Sequence, residues 1–219
     1  MAVGYNPSIV SDGLVFFLDP ANKRSYSGSG LTANGLVGGI GGALVNGVGF
    51  TSSNNGSFFF DGSNDYINVP SITSISGDFS VLIWFKTATT NPTFTRLLDF
   101  DYINGFWLGN SSLATSWGGG IRESGAPYGI FIPFTDNEWH FLVSVRSNTT
   151  HYIYRDGIAN FTSNTVSSNS LSNSTLVIGS TGSGFNFNGN IGQVQIYNRA
   201  LTQQEILQNF NATRFRYGV

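Results

Sequence analysis

Residues 78–87 read DFSVLIWFKT, and this stretch decides the fold class. Every second side chain is apolar, which is the period of a β-strand. One face of this strand carries Phe79, Val81, Ile83 and Phe85. The other face carries Leu82 and Trp84, so the strand is apolar on both sides. We expect such a strand at the centre of a sheet, with other parts of the protein packed on both faces.

The same period recurs further along the chain. Residues 138–147, EWHFLVSVRS, and residues 190–198, NIGQVQIYN, alternate apolar and polar side chains. Residues 151–161, HYIYRDGIANF, predict a hairpin with Asp156 and Gly157 at its turn. Many short strands separated by Gly and Asn turns are typical of a β-sandwich.

One segment, residues 200–211 (ALTQQEILQNFN), has helical signals. Thr202 and Glu205 have the spacing of a capping box at a helix start. Two Gly- and Asn-rich stretches, 26–50 and 110–127, have no clear period and are predicted to be irregular loops. The sequence therefore predicts an all-β protein, a two-sheet antiparallel β-sandwich of jelly-roll type with one short C-terminal α-helix.

The chain is expected to form a single domain over residues 1–219, with an N-terminal arm (1–12) and a C-terminal tail (212–219). Both ends carry apolar, aromatic or basic groups that would be left in water unless they dock. The residues predicted to serve assembly are Tyr5, Ile9, Arg214, Phe215, Arg216 and Tyr217. The alternative is that both ends pack on the sandwich of their own chain.

Four stretches together resemble the concanavalin A-like, laminin-G-like domains. They are SFFFDGSNDYINV (57–69), DFSVLIWFKT, EWHFLVSVRSNTTHYIYRDG (138–157) and FNGNIGQVQIYNRALTQQEI (187–206). The resemblance implies a concanavalin A-like jelly roll of about six or seven strands in each sheet. The opening, residues 5–26, resembles laminin-G-like virion proteins of tailed bacteriophages. Because this superfamily includes lectins, hydrolases and structural domains, the fold alone implies no function.

Composition excludes several classes of partner. Charged residues make up 10 % of the chain and the net charge is −2, with no cluster of Lys and Arg. A nucleic-acid partner or a membrane surface is therefore not expected. The chain has no cysteine. It begins without the pattern of a signal peptide, and no apolar run approaches the roughly 20 residues of a membrane-spanning helix.

The acidic residues do not predict an enzyme. A glycoside hydrolase needs two carboxylates facing each other across a cleft. The nearest acidic pair is Asp99 and Asp101, and neither histidine, His140 or His151, follows a nucleophile motif. Asp61 and Asp65 lie in a Gly-containing loop, where their side chains are expected to bind local backbone amides and turn the chain.

No cofactor is expected to be required, but the resemblance implies calcium as an optional ligand. Laminin-G-like domains often bind calcium at the rim of the sandwich. The candidates in this chain are Asp99, Asp101 and Asn104, which follow one another at the end of a predicted strand. A complete calcium site needs six to eight oxygen ligands.

Aromatic residues around the stretch 110–127 are candidates for ligand binding. They are Trp107, Trp117, Tyr102 and Tyr128. Exposed aromatic rings with polar neighbours suit a sugar ring or a partner protein. The alternative is that these side chains fill the underside of the loop, since Trp is usually buried.

Two functions remain open. The first is a non-enzymatic virion structural or decoration protein, a component of the capsid, tail or fibre, with other virion proteins or copies of itself as partners. Its expected location is the virion, after synthesis in the host cytoplasm. The alternative is a lectin-like, carbohydrate-binding module for host attachment, with a cell-surface glycan as its partner.

Overall fold

The computed structural model describes residues 7–70, 72, 75, 77–87, 91–101, 104–123, 126–133, 137–165 and 175–219. Side chains are described for the same residues except 123, 126–128 and 159–165. The described chain forms two antiparallel β-sheets of eight strands each and one α-helix. The predicted two-sheet sandwich with a C-terminal helix is therefore confirmed.

The elements follow one another as a long series of short strands. The strands are β1 (Leu14–Leu18), β2 (Thr32–Ala33), β3 (Gly42–Val45), β4 (Gly49–Thr51), β5 (Ser57–Asp61), β6 (Tyr66–Val69), β7 (Phe79–Thr87), β8 (Arg96–Phe100), β9 (Phe106–Asn110), β10 (Ser116–Glu123), β11 (Ala126–Pro133), β12 (Trp139–Ser147), β13 (Thr150–Arg155), β14 (Ile158–Thr165), β15 (Leu176–Ile178) and β16 (Asn188–Tyr197). A short 3-10 helix spans Ser53–Asn55, and the α-helix α1 spans Gln203–Tyr217. No helix in the described part of the chain has the length and apolar character needed to cross a membrane.

Each sheet combines hairpins of consecutive strands with neighbours that are far apart in sequence. Sheet A has the order β14-β13-β12-β7-β16-β5-β4, and β1 also pairs with β16. Sheet B has the order β11-β10-β9-β8-β15-β6-β3-β2. Most of the buried apolar side chains lie in one cluster that draws on both sheets. The sandwich core therefore lies between sheets A and B.

The strand that decided the fold class is central, as predicted. β7 pairs with β12 on one side and with β16 on the other. Phe79, Val81, Ile83 and Phe85 belong to the core between the sheets. Leu82 and Trp84 belong to a second apolar cluster on the outer face of sheet A, together with Ile206 and Tyr217 of α1. The helix thus covers the second apolar face of the strand.

The predicted capping box at the helix start is confirmed, but the predicted helix end is wrong. The Thr202 side chain accepts a hydrogen bond from the Glu205 amide, and the Glu205 carboxylate accepts one from the Thr202 amide. The helix continues to Tyr217 and ends at Gly218, whose φ of 77° fits a left-handed C-cap. Residues 212–217 are therefore helical and do not form part of a C-terminal tail.

The two stretches predicted to be irregular loops contain strands. Residues 26–50 include β2, β3 and the start of β4, and residues 110–127 include β10 and the start of β11. The glycines at 118–120 conceal the period-two pattern of β10, because a glycine has no side chain to reveal which face it lies on. These added strands raise each sheet above the predicted six or seven.

Both predicted tight turns have the expected chemistry. Asp156 and Gly157 have φ values of 52° and 79°, as a two-residue hairpin of type I′ requires. In the earlier loop, the Ser63 amide donates to Asp61 Oδ1 at 2.7 Å. The Asp61 amide donates to Asp65 Oδ2 at 3.1 Å. The carboxylates of this loop thus bind backbone amides and hold the turn between β5 and β6.

Candidate functional site: a cleft on the outer face of sheet A

Five residues in register form a row across the outer face of sheet A. Trp139 of β12 pairs with Lys86 of β7, and Lys86 pairs with Asn190 of β16. Asn190 pairs with Phe59 of β5, and Phe59 pairs with Gly49 of β4. Directly paired residues on neighbouring strands point to the same face of a sheet. The row therefore brings one basic, one amide and two aromatic side chains onto one surface.

This row forms one wall of a cleft with a volume of about 480 Å³. A cleft of this size is in the usual range for sites that hold small molecules. Its lining residues are Gly49, Phe50, Thr51, Ser53, Asn54, Ser57, Phe59, Lys86, Trp139 and Asn190. Aromatic faces, amides and hydroxyls thus lie within one concave surface.

Trp139 is held firmly at one end of the row. Its side chain is only 5 % exposed, and its Nε1 donates to Asn54 Oδ1 at 3.1 Å. Its ring lies 4.7 Å from the ring of Tyr217, between centroids. A tryptophan fixed on two sides keeps its orientation without a ligand, so the cleft is preorganised at this end.

The C-terminal end of α1 fixes the loop that borders the cleft. Arg216 donates from Nε to the Asn54 carbonyl at 2.8 Å and from Nη2 to the Gly56 carbonyl at 2.6 Å. Its Nη1 also pairs with Asp19 Oδ1 at 2.7 Å. The Asn54 side chain donates back to the Arg216 carbonyl at 3.1 Å. These bonds hold the 3-10 turn in place beside Trp139.

The other side of the cleft presents a more exposed surface. Phe58 and Phe60 are fully buried in the core, whereas Phe59 between them is 44 % exposed. The Asn190 amide donates from Nδ2 to Ser57 Oγ at 3.3 Å. This bond orients the amide while leaving its carbonyl oxygen as an acceptor. A ligand in the cleft would therefore meet an open aromatic face next to an oriented amide.

The two tryptophans of the predicted aromatic ligand site are buried. Trp107 and Trp117 are only 4 % and 2 % exposed. Trp117 pairs with Asn110, three residues after Trp107 on β9, so the two indoles point to opposite faces of sheet B. Trp117 packs in the core beside Phe85. These two residues fit the alternative in which the indoles are packing groups.

The tyrosines of that predicted site give no further information. Tyr102 lies outside the described residues. Tyr128 lies in β11, paired in register with Ile121, and its side chain is not described.

The residues predicted to bind calcium do not fit the ion. Asp99 is held by Arg122 through two bonds, Nη1 to Oδ1 at 2.9 Å and Nη2 to Oδ2 at 2.6 Å. Arg96 Nε lies 3.4 Å from the same carboxylate. Two guanidinium groups beside Asp99 repel a divalent cation and occupy the oxygens it needs. The described residues contain no group of three or more His, Cys, Asp or Glu side chains placed to hold a metal.

Asp101 and Asn104, the other two residues predicted to bind calcium, make hydrogen bonds within their own loop. Asp101 Oδ1 accepts a hydrogen bond from the Asn104 amide at 2.9 Å. The Asp101 carbonyl accepts a bond from Arg122 Nη1, also at 2.9 Å. The arginine therefore links the end of β8 to β10, and Asp99 is part of a buried ion-pair network.

The residues predicted to serve assembly divide into two groups. Arg216 and Tyr217 bind their own chain, as the alternative prediction had it, and Ile9 is half-buried. Phe215 is 69 % exposed, with the guanidinium of Arg214 4.8 Å above its ring. Tyr5 lies outside the described residues. Assembly therefore stays a prediction for the exposed side of α1.

The two histidines lie in different surroundings. His140 bonds to Asp156, with Nδ1 2.9 Å from Oδ2. His151 is fully buried, and its Nε2 lies 2.8 Å from Ser144 Oγ. Burial lowers the pKa of His151 from 6.5 to about 3, so the imidazole is neutral at physiological pH.

Sequence reasoning did not find the cleft on sheet A. The four side chains of its row, Phe59, Lys86, Trp139 and Asn190, come from four strands that lie too far apart in sequence to form a motif. Two signals were present. Phe59 breaks the alternation expected of a half-buried strand, and Lys86 is the one basic residue in the otherwise apolar strand β7.

The comparisons with known proteins agree with this architecture. The family model of the concanavalin A-like lectin/glucanases superfamily, in its laminin-G form, matches residues 61–207. A search of curated proteins found no match.

Solved structures with the same fold include binding domains of bacterial toxins. A crystal structure described as a receptor binding domain has 15 % identity and a TM-score of 0.74, and the alignment covers 92 % of this chain and 51 % of that chain. The binding domain of botulinum neurotoxin DC in complex with SialylT has 14 % identity, a TM-score of 0.72 and coverages of 52 % and 92 %. The botulinum neurotoxin serotype D binding domain has 14 % identity, a TM-score of 0.73 and coverages of 51 % and 91 %. The chain thus spans about half the length of these solved chains, and the likeness is one of fold.

Proposed function

Because the chain belongs to the concanavalin A-like lectin/glucanases superfamily, we propose that it is a non-catalytic module that binds glycans in the cleft of sheet A. The observation that carries this proposal is the row Trp139, Lys86, Asn190 and Phe59, aligned by strand register on one face. Four side chains fixed by four different strands keep their spacing, as a preformed binding surface requires.

The chemistry of the cleft suits a sugar. A pyranose has an apolar face of C–H groups and an edge of hydroxyls. The exposed ring of Phe59 offers an apolar contact for the first, and the Asn190 amide offers a donor and an acceptor for the second. A mostly apolar ligand would not use the polar wall formed by Ser57, Asn54 and Asn190.

The acidic residues support binding without hydrolysis. Among the described residues, no Asp or Glu lines the cleft. Asp99, the best-placed carboxylate of the sequence, is held by two arginines on the other sheet. Hydrolysis of a glycosidic bond needs a carboxylic acid and a second carboxylate beside the bond. The cleft therefore supports recognition of a glycan rather than its cleavage.

A glycan array tests the proposal, followed by titration of the best ligand into Phe59→Ala and Asn190→Ala variants. We expect either change to weaken binding about five- to tenfold, since an aromatic contact or a hydrogen bond contributes about 1 kcal/mol. Phe185→Ala is the matched control, because Phe185 is also exposed, at 52 %, but lies between β15 and β16, outside the cleft. An array without any bound glycan, or equal affinity for all variants, would contradict the proposal.

We also propose a location, on a virus particle, as a structural or decoration component of the capsid, tail or fibre. The support is the resemblance of residues 5–26 to laminin-G-like virion proteins of tailed bacteriophages. Phe215 and Leu207, 69 % and 43 % exposed on α1, offer an apolar contact to other virion proteins or to copies of this chain. Proteomic identification of the chain in purified particles is the expected result. Its absence from intact particles of the phage that encodes it would contradict the location and leave glycan binding unaffected.

A further inference from the structure

Lys86 is the one charged side chain that lines the cleft, among the residues that the structure describes. Its ammonium has no ion pair and no hydrogen bond within the described part of the chain. The described arginines Arg96, Arg122, Arg199 and Arg216, in contrast, each contact a carboxylate. The cleft therefore holds a positive charge that no described residue neutralises.

The position of Lys86 places that charge within the row, second from the Trp139 end. It pairs in register with Trp139 on one side and Asn190 on the other. An ammonium group has three donors and no acceptor, so it cannot accept a bond from a sugar hydroxyl. It is best matched by an anionic oxygen, and a hydrogen bond to such an oxygen is about twice as strong as one between neutral groups.

The rest of the lining agrees with an anionic ligand. Lectin-like sites that select neutral sugars benefit from carboxylates, which accept bonds from the hydroxyls. The described lining of this cleft contains no carboxylate. Within the described lining, a negative ligand would therefore meet one attractive charge and no repulsive one.

We propose that the cleft selects an acidic glycan, one whose sugar ring carries a carboxylate or a sulfate, and that Lys86 binds this anionic group. The inference rests on the proposed glycan-binding function and adds the class of ligand. The pyranose ring lies against Phe59 and the anionic group lies at Lys86, with Asn190 between them in the row.

The chain provides a matched control, because Lys23 and Lys86 are its only lysines. Lys23 is exposed, and its Nζ donates to the Ser27 carbonyl at 3.1 Å. Lys23→Gln thus removes the same net charge as Lys86→Gln at a site outside the cleft. Comparing the two variants separates a local contact from a general effect of charge.

The experiment starts from the glycans that bind the wild-type chain on an array containing neutral, carboxylated and sulfated members. Each bound acidic glycan is then neutralised, by reduction of its carboxylate to a primary alcohol or by removal of its sulfate. Calorimetry measures the affinity of the wild-type, Lys86→Gln, Lys86→Arg and Lys23→Gln chains for each original and neutralised pair. The melting temperature of each variant confirms that it is folded.

We expect the bound glycans to be acidic and Lys86→Gln to weaken their binding at least about tenfold, as loss of a charge-assisted bond implies. The wild-type chain should bind each neutralised glycan more weakly than the original by the same factor. Lys86→Gln should bind the original and the neutralised glycan with equal affinity. Lys86→Arg and Lys23→Gln should stay within about twofold of wild type. The neutralised member of each pair identifies whether the anionic group is a carboxylate or a sulfate.

A second readout follows the lysines directly. Reductive methylation with ¹³C-formaldehyde labels both lysines and the N-terminal amine, and Lys23→Gln and Lys86→Gln assign the two lysine signals. The acidic glycan should shift the Lys86 signal and leave that of Lys23 unchanged. Equal affinity of the wild-type and Lys86→Gln chains for the acidic glycan would overturn the inference. A Lys86 signal that does not shift when this glycan is added would also overturn it.

The array separates this inference from the proposed function. If the bound glycans are neutral and Phe59→Ala weakens them, the cleft is a glycan site and the acidic class is wrong. If no glycan binds at all, the proposed function fails and the inference fails with it.

Discussion

The ring of Tyr217 stacks on the ring of Trp84, with centroids 4.2 Å apart and 18° between the ring planes. This contact joins the last turn of α1 to the central strand of sheet A. Trp84 Nε1 also donates to Thr213 Oγ1 at 2.9 Å, so the indole is bound to the helix by both its face and its polar edge. The C-terminal segment is therefore part of the folded core and borders the candidate glycan cleft.

Tyr217→Ala is expected to lower the free energy of unfolding by about 3–5 kcal/mol, the usual range for removing a buried aromatic ring. The residue is 3 % exposed, and its hydroxyl accepts a bond from the Gln193 amide at 3.1 Å. Urea denaturation measures the change. Phe215→Ala, two residues away and 69 % exposed, should shift stability by no more than about 0.5 kcal/mol. Equal stability of the two variants would show that the helix end does not dock.

Gly192→Ala tests the fit of the helix end against sheet A. A Cβ at position 192 would lie 2.3 Å from the Tyr217 hydroxyl and 2.8 Å from its ring carbons. We expect a loss of about 1–3 kcal/mol in the free energy of unfolding, as is typical of overpacking. Gly49→Ala is the control, because its added Cβ would meet Phe59 at an ordinary 3.5 Å. Both variants are compared by thermal melting, and a smaller effect at 192 than at 49 would contradict the packing described.

His151 should make the fold sensitive to acid. Burial lowers its pKa from 6.5 to about 3, so the unfolded chain binds a proton between these values and the folded chain does not. The contribution of His151 to the free energy of unfolding is therefore fully present above about pH 6.5. It falls as the pH drops toward 3, by at most about 1.4 kcal/mol per pH unit. Urea unfolding from pH 7 to pH 4 measures the slope.

The matched variant for that slope is His151→Gln, which keeps a polar group near Ser144 but does not titrate. It should be less stable at pH 7 and lose stability more slowly on acidification than the wild-type chain. A wild-type slope that is unchanged in the variant would assign the acid sensitivity to other groups.

Asp99→Asn should destabilise the fold by about 3–5 kcal/mol, because it leaves two buried guanidinium groups without their carboxylate. The side chains of Arg96 and Arg122 are only 10 % and 5 % exposed. Asp61→Asn, in the exposed turn, is a control expected to change stability much less. Chemical denaturation compares the two, and a neutral effect of Asp99→Asn would show that the ion-pair network does not form.

Calcium should leave the stability of the chain unchanged. An ion that binds the folded state raises the melting temperature as its concentration passes the dissociation constant. Since the carboxylate of Asp99 is already held by arginines, we expect no change between millimolar calcium and excess chelator. A rise with calcium that disappears in Asp101→Asn would restore the predicted calcium site.

The sequence predicted those parts of the fold that depend on neighbouring residues. The alternation within 78–87 specifies a central strand because each side chain alternates its face with the next. Thr202 and Glu205 specify a helix start because both groups reach backbone amides within one turn. Asp156 and Gly157 specify a hairpin through their own backbone angles. Each of these signals acts over a few residues, so a local pattern contains it.

Only the tertiary structure decided which residues share a surface. Whether Trp107 and Trp117 face the same side depends on the register between β9 and β10, and a shift of one residue would reverse the answer. The length of α1 depends on Trp84, a partner on a distant strand that gives Tyr217 a place to dock.

The cleft depends on register across five strands, which aligns Phe59, Lys86, Trp139 and Asn190 although they lie far apart in the chain. The spacing of these residues in sequence carries no trace of that alignment. The sequence alone determined that the chain forms a sandwich, because period-two burial is a local property. The pairing of strands decided where a ligand could bind, because long-range hydrogen bonding sets which side chains meet.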